Sequence, residues 1–288
     1  MSVPAPFDYH PAQTVDEAIA LLQQYGDEAK VLAGGHSLIP AMKLRLSQPG
    51  HLVDIGRISG LSYIREEQGV VAIGSLTTYT QIESSDVLKR DFPIIPECAS
   101  VIADQQVRNR GTIGGSIAHS DPASDMPGVV LALRGEIVAQ GPNGKRTIKA
   151  DDFFVGMFTT ALEPDEILLE IRFTVPPART GSAYEKLANK ASHYAVAGAA
   201  AVVTLDSDGT CTSAGVAITG AAIQTTRASA VEAALVGKKL DEATVAEAAS
   251  HATDGLELVA DIHGSQEYRR QMTAVITRRA ILRALERA

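Results

Sequence analysis

Apolar residues at Val15, Ala18, Ile19, Leu21 and Leu22 return at helical spacing and share one face, which predicts a helix over "TVDEAIALLQQYG". Thr14 stands three residues before Glu17, the spacing of a capping box, and Gly26 ends the period. The apolar run "AKVLA" then predicts a buried strand, "LIPAMKLRL" a short helix with Pro40 in its first turn, and "HLVDI" a further strand. From about Arg57 to Pro177 the pattern predicts strands in "YIREE" and "VVAIGS", one helix through "TTYTQIESSDVLKR" and another through "IIPECASVIAD". Strands follow in "GEIVAQ", "KRTIKA" and "EILLEIRFTV", with "GPNGK" turning between the first two. The paired prolines of "VPPART" mark a boundary, because they end a strand and stiffen a linker. Beyond it come "AYEKLA", two alternating runs that Asp208 and Gly209 join as a hairpin, and helices in "DEATVAEAASHA" and "YRRQMTAVITRRAILRALERA". The last helix carries arginines between its apolar positions, a basic stripe for solvent or for a docking partner. The sum is an α+β protein of several small sheets in three units, residues 1–56, 57–177 and 178–288, without the βαβα rhythm of a doubly wound fold.

Composition narrows the classes. The 288 residues suit two or three domains, and 45% hydrophobic content excludes a disordered chain. A net charge of −8 argues against nucleic acid and against an anionic membrane surface. Cys98 and Cys211 form no CxxC pair and fall short of the four ligands, normally thiolates, that an iron–sulfur cluster needs. They read as free thiols of a reducing compartment. His10, His51, His119, His193, His251 and His263 stand at no ligand spacing, so no metal site is expected in this chain. The start "MSVPAPFDYHPAQ" has no basic or apolar leader segment, which points to the cytoplasm, with the inner face of the membrane reached through partners.

Candidate chemistry lies in two glycine pairs. Gly34 and Gly35, in "VLAGGHSLIPAMKLRL", follow a strand and precede a helix; Gly114 and Gly115 lie in "RNRGTIGGSIAHSDPASDMP". A Gly-Gly pair frees φ and removes Cβ atoms, so that successive N–H groups can converge on an anion or a flat ligand can approach the backbone. Neither pair matches the phosphate loop of nucleotidases or the dinucleotide fingerprint GxGxxG. Taken singly, each is more often a turn than a cradle. His36, Ser37 and Thr112 set polar side chains beside the glycines, Arg108 and Arg110 precede the second pair, and Asp121 and Asp125 follow it. One charge-assisted hydrogen bond nets about 1.5–3 kcal/mol, whereas micromolar binding takes about 8 kcal/mol. Two loops closing on one long ligand would reach that, and a dinucleotide has the required shape.

These two stretches resemble the FAD-binding signatures of the medium subunits of molybdenum hydroxylases, the xanthine dehydrogenase family, and within it the aerobic carbon monoxide dehydrogenase group. The likeness runs from "FDYHPAQTVDEAIALL" through "HLVDI", "PIIPE" and "AYEKLANKASHYAVA" to the C-terminal helix. It implies a vanillyl-alcohol-oxidase-type (PCMH-type) FAD-binding fold of two subdomains, then a C-terminal α+β domain with an antiparallel sheet. It implies FAD held by Ala33, Gly34, Gly35, His36, Ser37 and Leu38 in the first loop and by Thr112, Ile113, Gly114, Gly115 and Ser116 in the second. Ser116 stands where relatives usually carry asparagine. Further matched positions are Ile102, Asp125, Leu168, Lys186 and Tyr194, the tyrosine lying against the isoalloxazine ring.

The same resemblance implies a chain with no catalytic residue of its own. Its FAD would take electrons from a small subunit with [2Fe-2S] clusters, fed by a large subunit carrying molybdopterin cytosine dinucleotide with molybdenum and copper. That subunit would oxidise CO with water to CO2, in a dimer of heterotrimers, and the electrons would leave to a quinone or another acceptor. Open alternatives are the flavin subunit of an aldehyde, purine or N-heterocycle dehydrogenase such as one for nicotine, a stand-alone FAD oxidase, and a non-catalytic scaffold whose glycines only turn the chain.

Overall fold

The computed structural model describes residues 3–288. Met1 and Ser2, which begin the stretch read for a leader, lie outside the described residues. The first unit consists of β1 (Asp8–Pro11), α1 (Val15–Tyr25), β2 (Ala29–Leu32), α2 (Leu38–Lys43) and β3 (His51–Asp54). Its strands form a parallel sheet in the order β1-β3-β2. Thr14 caps α1 as expected, its hydroxyl accepting from Glu17 N at 3.1 Å. The return bond goes one residue further back, from Gln13 N to the Glu17 carboxylate at 2.7 Å.

The second unit holds β4 (Ile64–Glu67), β5 (Val70–Gly74), α3 (Tyr79–Ser84), α4 (Asp86–Asp91), α5 (Ile94–Ser100), α6 (Gln105–Arg108), α7 (Ile113–His119) and α8 (Met126–Ala132). It continues with β6 (Glu136–Gly141), β7 (Gly144–Lys149), α9 (Ala150–Phe153), a small ribbon of β8 (Phe154–Gly156) and β9 (Thr159–Thr160), and β10 (Ile167–Thr174). The main sheet is antiparallel, in the order β4-β5-β10-β6-β7. The single helix expected over "TTYTQIESSDVLKR" is two. Ser85 is extended at ψ 117° and its hydroxyl accepts from Leu88 N, restarting the chain as α4, while Thr78 and Gln81 form a capping box on α3.

The third unit is an antiparallel sheet of β11 (Thr180–Ala188), β12 (Ala195–Leu205), β13 (Cys211–Thr219) and β14 (Thr226–Arg227), followed by α10 (Ser229–Leu235), α11 (Glu242–Ser250) and α12 (Gln266–Leu285). Alternation splits β12 between two cores: Ala199, Ala201 and Val203 pack toward α12, whereas Ala200 belongs to the core around Phe92, Phe173 and Ile137. Small residues suit a strand covered on both faces. Gly215 lets β13 touch α8, since a Cβ there would lie 2.1 Å from Ala132 O. The solvent stripe expected on α12 is in part internal: Arg269 is 3% exposed and donates to the carbonyls of Val196 and Gly220 at 2.7 and 2.6 Å. Arg283 and Arg287 pair with Glu97 on α5. Among the described residues no helix is long and apolar enough to cross a membrane.

Candidate functional site

A cavity of about 570 Å³ opens where the end of β2, the start of α7, β10 and the turn before β12 meet. The turn after β2 is built on glycine: Gly35 has φ +78°, and a Cβ on Gly34 would lie 2.1 Å from Arg110 O. The two glycine segments therefore abut. Among the described residues the N–H groups of Gly34, Gly35, His36 and Ser37 have no acceptor in the protein, although all four residues line the cavity. Ser37 precedes α2 without capping it, so its hydroxyl is not spent on the helix and faces Tyr194.

The second pair works differently. Gly114 and Gly115 form the first turn of α7, and their N–H groups are taken by Ser75 O at 2.9 Å and by Thr112 Oγ1 at 3.1 Å. Gly114 is needed for close approach, since a Cβ there would fall 2.5 Å from Ser75 Cβ. Ser75 is 3% exposed, lines the cavity, and its hydroxyl has no partner. An unpaired buried hydroxyl costs about 1–3 kcal/mol, so a partner supplied from the cavity would recover it.

Every position matched to the FAD-binding signatures lines the cavity except Ile113, Asp125 and Lys186: Ala33, Leu38, Ile102, Thr112, Ser116, Leu168 and Tyr194 join the glycines, His36 and Ser37. Ile113 is fully buried in the central core. Asp125 and Lys186 form a buried ion pair at 2.8 Å behind the wall. Burial raises the Asp125 pKa, with Lys186 and Tyr184 pulling the other way. Ser116, at the position usual for asparagine, shares a hydrogen bond with Ser124 at 2.8 Å. Arg108 does not reach the cavity; it ties Glu83 to the carbonyl of Ile102.

Sequence reasoning missed Ser75, Tyr79, His119, Ser124 and Phe158 in the lining. Ser75 had one usable signal, its place directly after Gly74 at the end of a strand pattern. His119 lies tilted against Phe158 with centroids 5.1 Å apart, and burial lowers its pKa, with Asp121 pulling the other way. Tyr194 is 43% exposed at the rim. Its pKa is raised, first by burial and then by Asp121, while Ser37 in the facing turn pulls it down.

The sequence matches two family models: the FAD binding domain in molybdopterin dehydrogenase over residues 5–178, and the CO dehydrogenase flavoprotein C-terminal domain over residues 182–284. The chain belongs to this family of FAD-binding molybdopterin dehydrogenase subunits. Similar relatives are the carbon monoxide dehydrogenase medium chain of Hydrogenophaga pseudoflava, 43% identical with 97% of each chain covered, and the 6-hydroxypseudooxynicotine dehydrogenase complex subunit alpha of Paenarthrobacter nicotinovorans, 39% identical with 99% and 96% covered. A solved carbon monoxide dehydrogenase of Hydrogenophaga pseudoflava, lacking the Mo-pyranopterin moiety of its molybdenum cofactor, superposes at a TM-score of 0.96, with 45% identity and 99% of each chain covered. The fold of this family is an FAD-binding domain joined to a flavoprotein C-terminal domain, and the three sheets described above are that architecture.

The residues fit the family's cofactor. A diphosphate needs several donors at one place, and the Gly34–Ser37 turn offers consecutive unpaired N–H groups. A flat ring needs apolar walls, which Ile102 and Leu168 supply. The orphaned Ser75 hydroxyl, in the same lining, is left to pair with a polar group of the ligand.

Proposed function

We propose that this chain is the FAD-carrying electron-transfer subunit of an aerobic carbon monoxide dehydrogenase. The observation that carries the reading is the set of unpaired amides at Gly34–Ser37, braced on the second glycine segment, in a chain that matches a carbon monoxide dehydrogenase medium chain over nearly its whole length. FAD, when bound, supplies a redox centre between electrons delivered from [2Fe-2S] clusters of a small subunit and an external acceptor. The chain's own residues bind and shield. The amides of Gly34, Gly35, His36 and Ser37 hold the diphosphate, with Ser37 and Ser75 adding hydroxyl donors. Thr112 fixes α7 by accepting from Gly115 N, which keeps the second glycine segment against the first. Ile102 and Leu168 exclude water from the ring, and Tyr194 covers it at the rim.

The reading extends to a large subunit with molybdenum and copper that oxidises CO with water, a dimer of heterotrimers, and a quinone as acceptor at the inner face of the membrane. It also divides the chain at residues 56 and 177, a division supported by the separate sheets. A second reading, an N-heterocycle dehydrogenase, is favoured by the 39% identity to the 6-hydroxypseudooxynicotine dehydrogenase subunit. Isolation of the native complex through this chain decides between them. Flavin, molybdenum, copper and iron with CO-dependent dye reduction are expected; flavin and molybdenum without CO oxidation would move the substrate to the second reading, and absence of flavin would refute both.

A further inference from the structure

Behind the cavity wall a line of hydrogen bonds runs from the core to Tyr194. Tyr184 on β11 is 3% exposed and donates to Asp125 Oδ1 at 2.5 Å. Asp125 Oδ2 accepts from Lys186 Nζ at 2.8 Å, and the same ammonium donates to the carbonyl of His193 at 2.7 Å. The next residue is Tyr194. Both side chains of the ion pair are 6% exposed, whereas Lys190–Tyr194 are exposed throughout.

The turn has its own short bonds, from Asn189 N to Tyr194 O and from His193 N to Asn189 O, both at 2.8 Å, and His193 takes φ +62°. Those bonds shape the turn, but they do not fix it to the body of the protein. The link to Lys186 does, together with Ala195 N donating to Ala123 O at 3.2 Å and the Asn189 side-chain amide bonded to the His263 ring at 2.9 Å. A buried ion pair is a poor source of net stability, because desolvation cancels most of the attraction; its best-attested use is to select one arrangement. Here the ammonium has donors for both the carboxylate and the backbone carbonyl, so the arrangement selected is that of the turn.

We propose that Tyr184, Asp125 and Lys186 form a positioning strut that holds the Lys190–Tyr194 turn so that Tyr194 closes over the cavity, and that they act on the bound flavin through Tyr194 and not by touching it. This rests on the reading of the cavity as the FAD site. The test uses the full chain and has one arm that needs no flavin. In the FAD-free chain, Lys186→Met and Tyr184→Phe are expected to speed hydrogen exchange at the His193 and Ala195 amides, by about tenfold or more for Lys186→Met, the scale of one charge-assisted hydrogen bond. Exchange in the middle of β12 should not change. If Lys186→Met does not fold, Tyr184→Phe, which removes one hydroxyl, carries this arm.

The second arm is a double-mutant cycle on FAD affinity. Weakened binding in Lys186→Met is expected to disappear when Tyr194→Ala is already present. A loss of the same size in the Tyr194→Ala background would place Lys186 on the flavin itself and overturn the proposal, as would unchanged exchange in the turn. If the unaltered chain binds no FAD, the function reading fails, and the exchange arm still decides whether the strut holds the turn.

Discussion

Gly34 and Gly114 owe their identity to neighbours far away in sequence: a Cβ on the first would strike Arg110 O at 2.1 Å and on the second Ser75 Cβ at 2.5 Å. Gly35 alone among the paired glycines takes positive φ. The sequence marked both pairs as cradles for an anion, yet it could not show that only the first offers free amides, because the carbonyl that occupies Gly114 N belongs to Ser75 on another element. Ser75 itself was illegible for the same reason. Its unpaired hydroxyl gives a prediction of opposite signs. Ser75→Ala should stabilise the FAD-free chain by about 1 kcal/mol and weaken FAD binding by about two- to tenfold, the value of an ordinary hydrogen bond. Thermal melts and FAD titration check this, and a fall in both quantities would reduce Ser75 to a packing role.

Periodicity revealed α1, β2, β3 and the main-sheet strands, since each buries one face or both. It failed where side chains, not burial, decide. Ser85 breaks the helix expected after Thr77 by capping a new one, and β1, which the pattern did not predict, has in "DYHP" no apolar alternation to betray it. On β10, Glu170 is 4% exposed within a hydrophobic strand pattern, held by Tyr63 and by Arg172 and Arg65. Burial alone would raise its pKa, but the hydrogen bonds from Tyr63 and Arg172 and the two guanidinium charges hold it below the ordinary value, while Tyr63 is pushed up to about 12 by its own burial and by Glu170. A depressed carboxylate pKa stabilises fully above the unfolded value near 4.5 and loses that contribution as pH falls through the folded value. Glu170→Gln should therefore cost about 1–3 kcal/mol at neutral pH, with the gap to the unaltered chain closing in acid. Urea melts across that range measure it, and a gap that ignores pH would contradict the assignment.

On the scale of the molecule, a parallel sheet, an antiparallel sheet and the turn before β12 surround one cavity, and alternate residues of β12 join the second and third units through separate cores. Sequence spacing could bring the glycine pairs forward as candidates, but not the gathering of Leu168 and Tyr194 with them, because that depends on how the sheets meet. The central claim is that the unpaired amides of Gly34–Ser37 hold the FAD diphosphate. The measurement that tests it most directly is the backbone amide spectrum of the full chain during FAD titration. Large, saturable shifts at Gly34, Gly35, His36 and Ser37, with little change at the already bonded Gly114 and Gly115 amides, are predicted. FAD binding that leaves the four amides of the first turn unmoved would contradict the account.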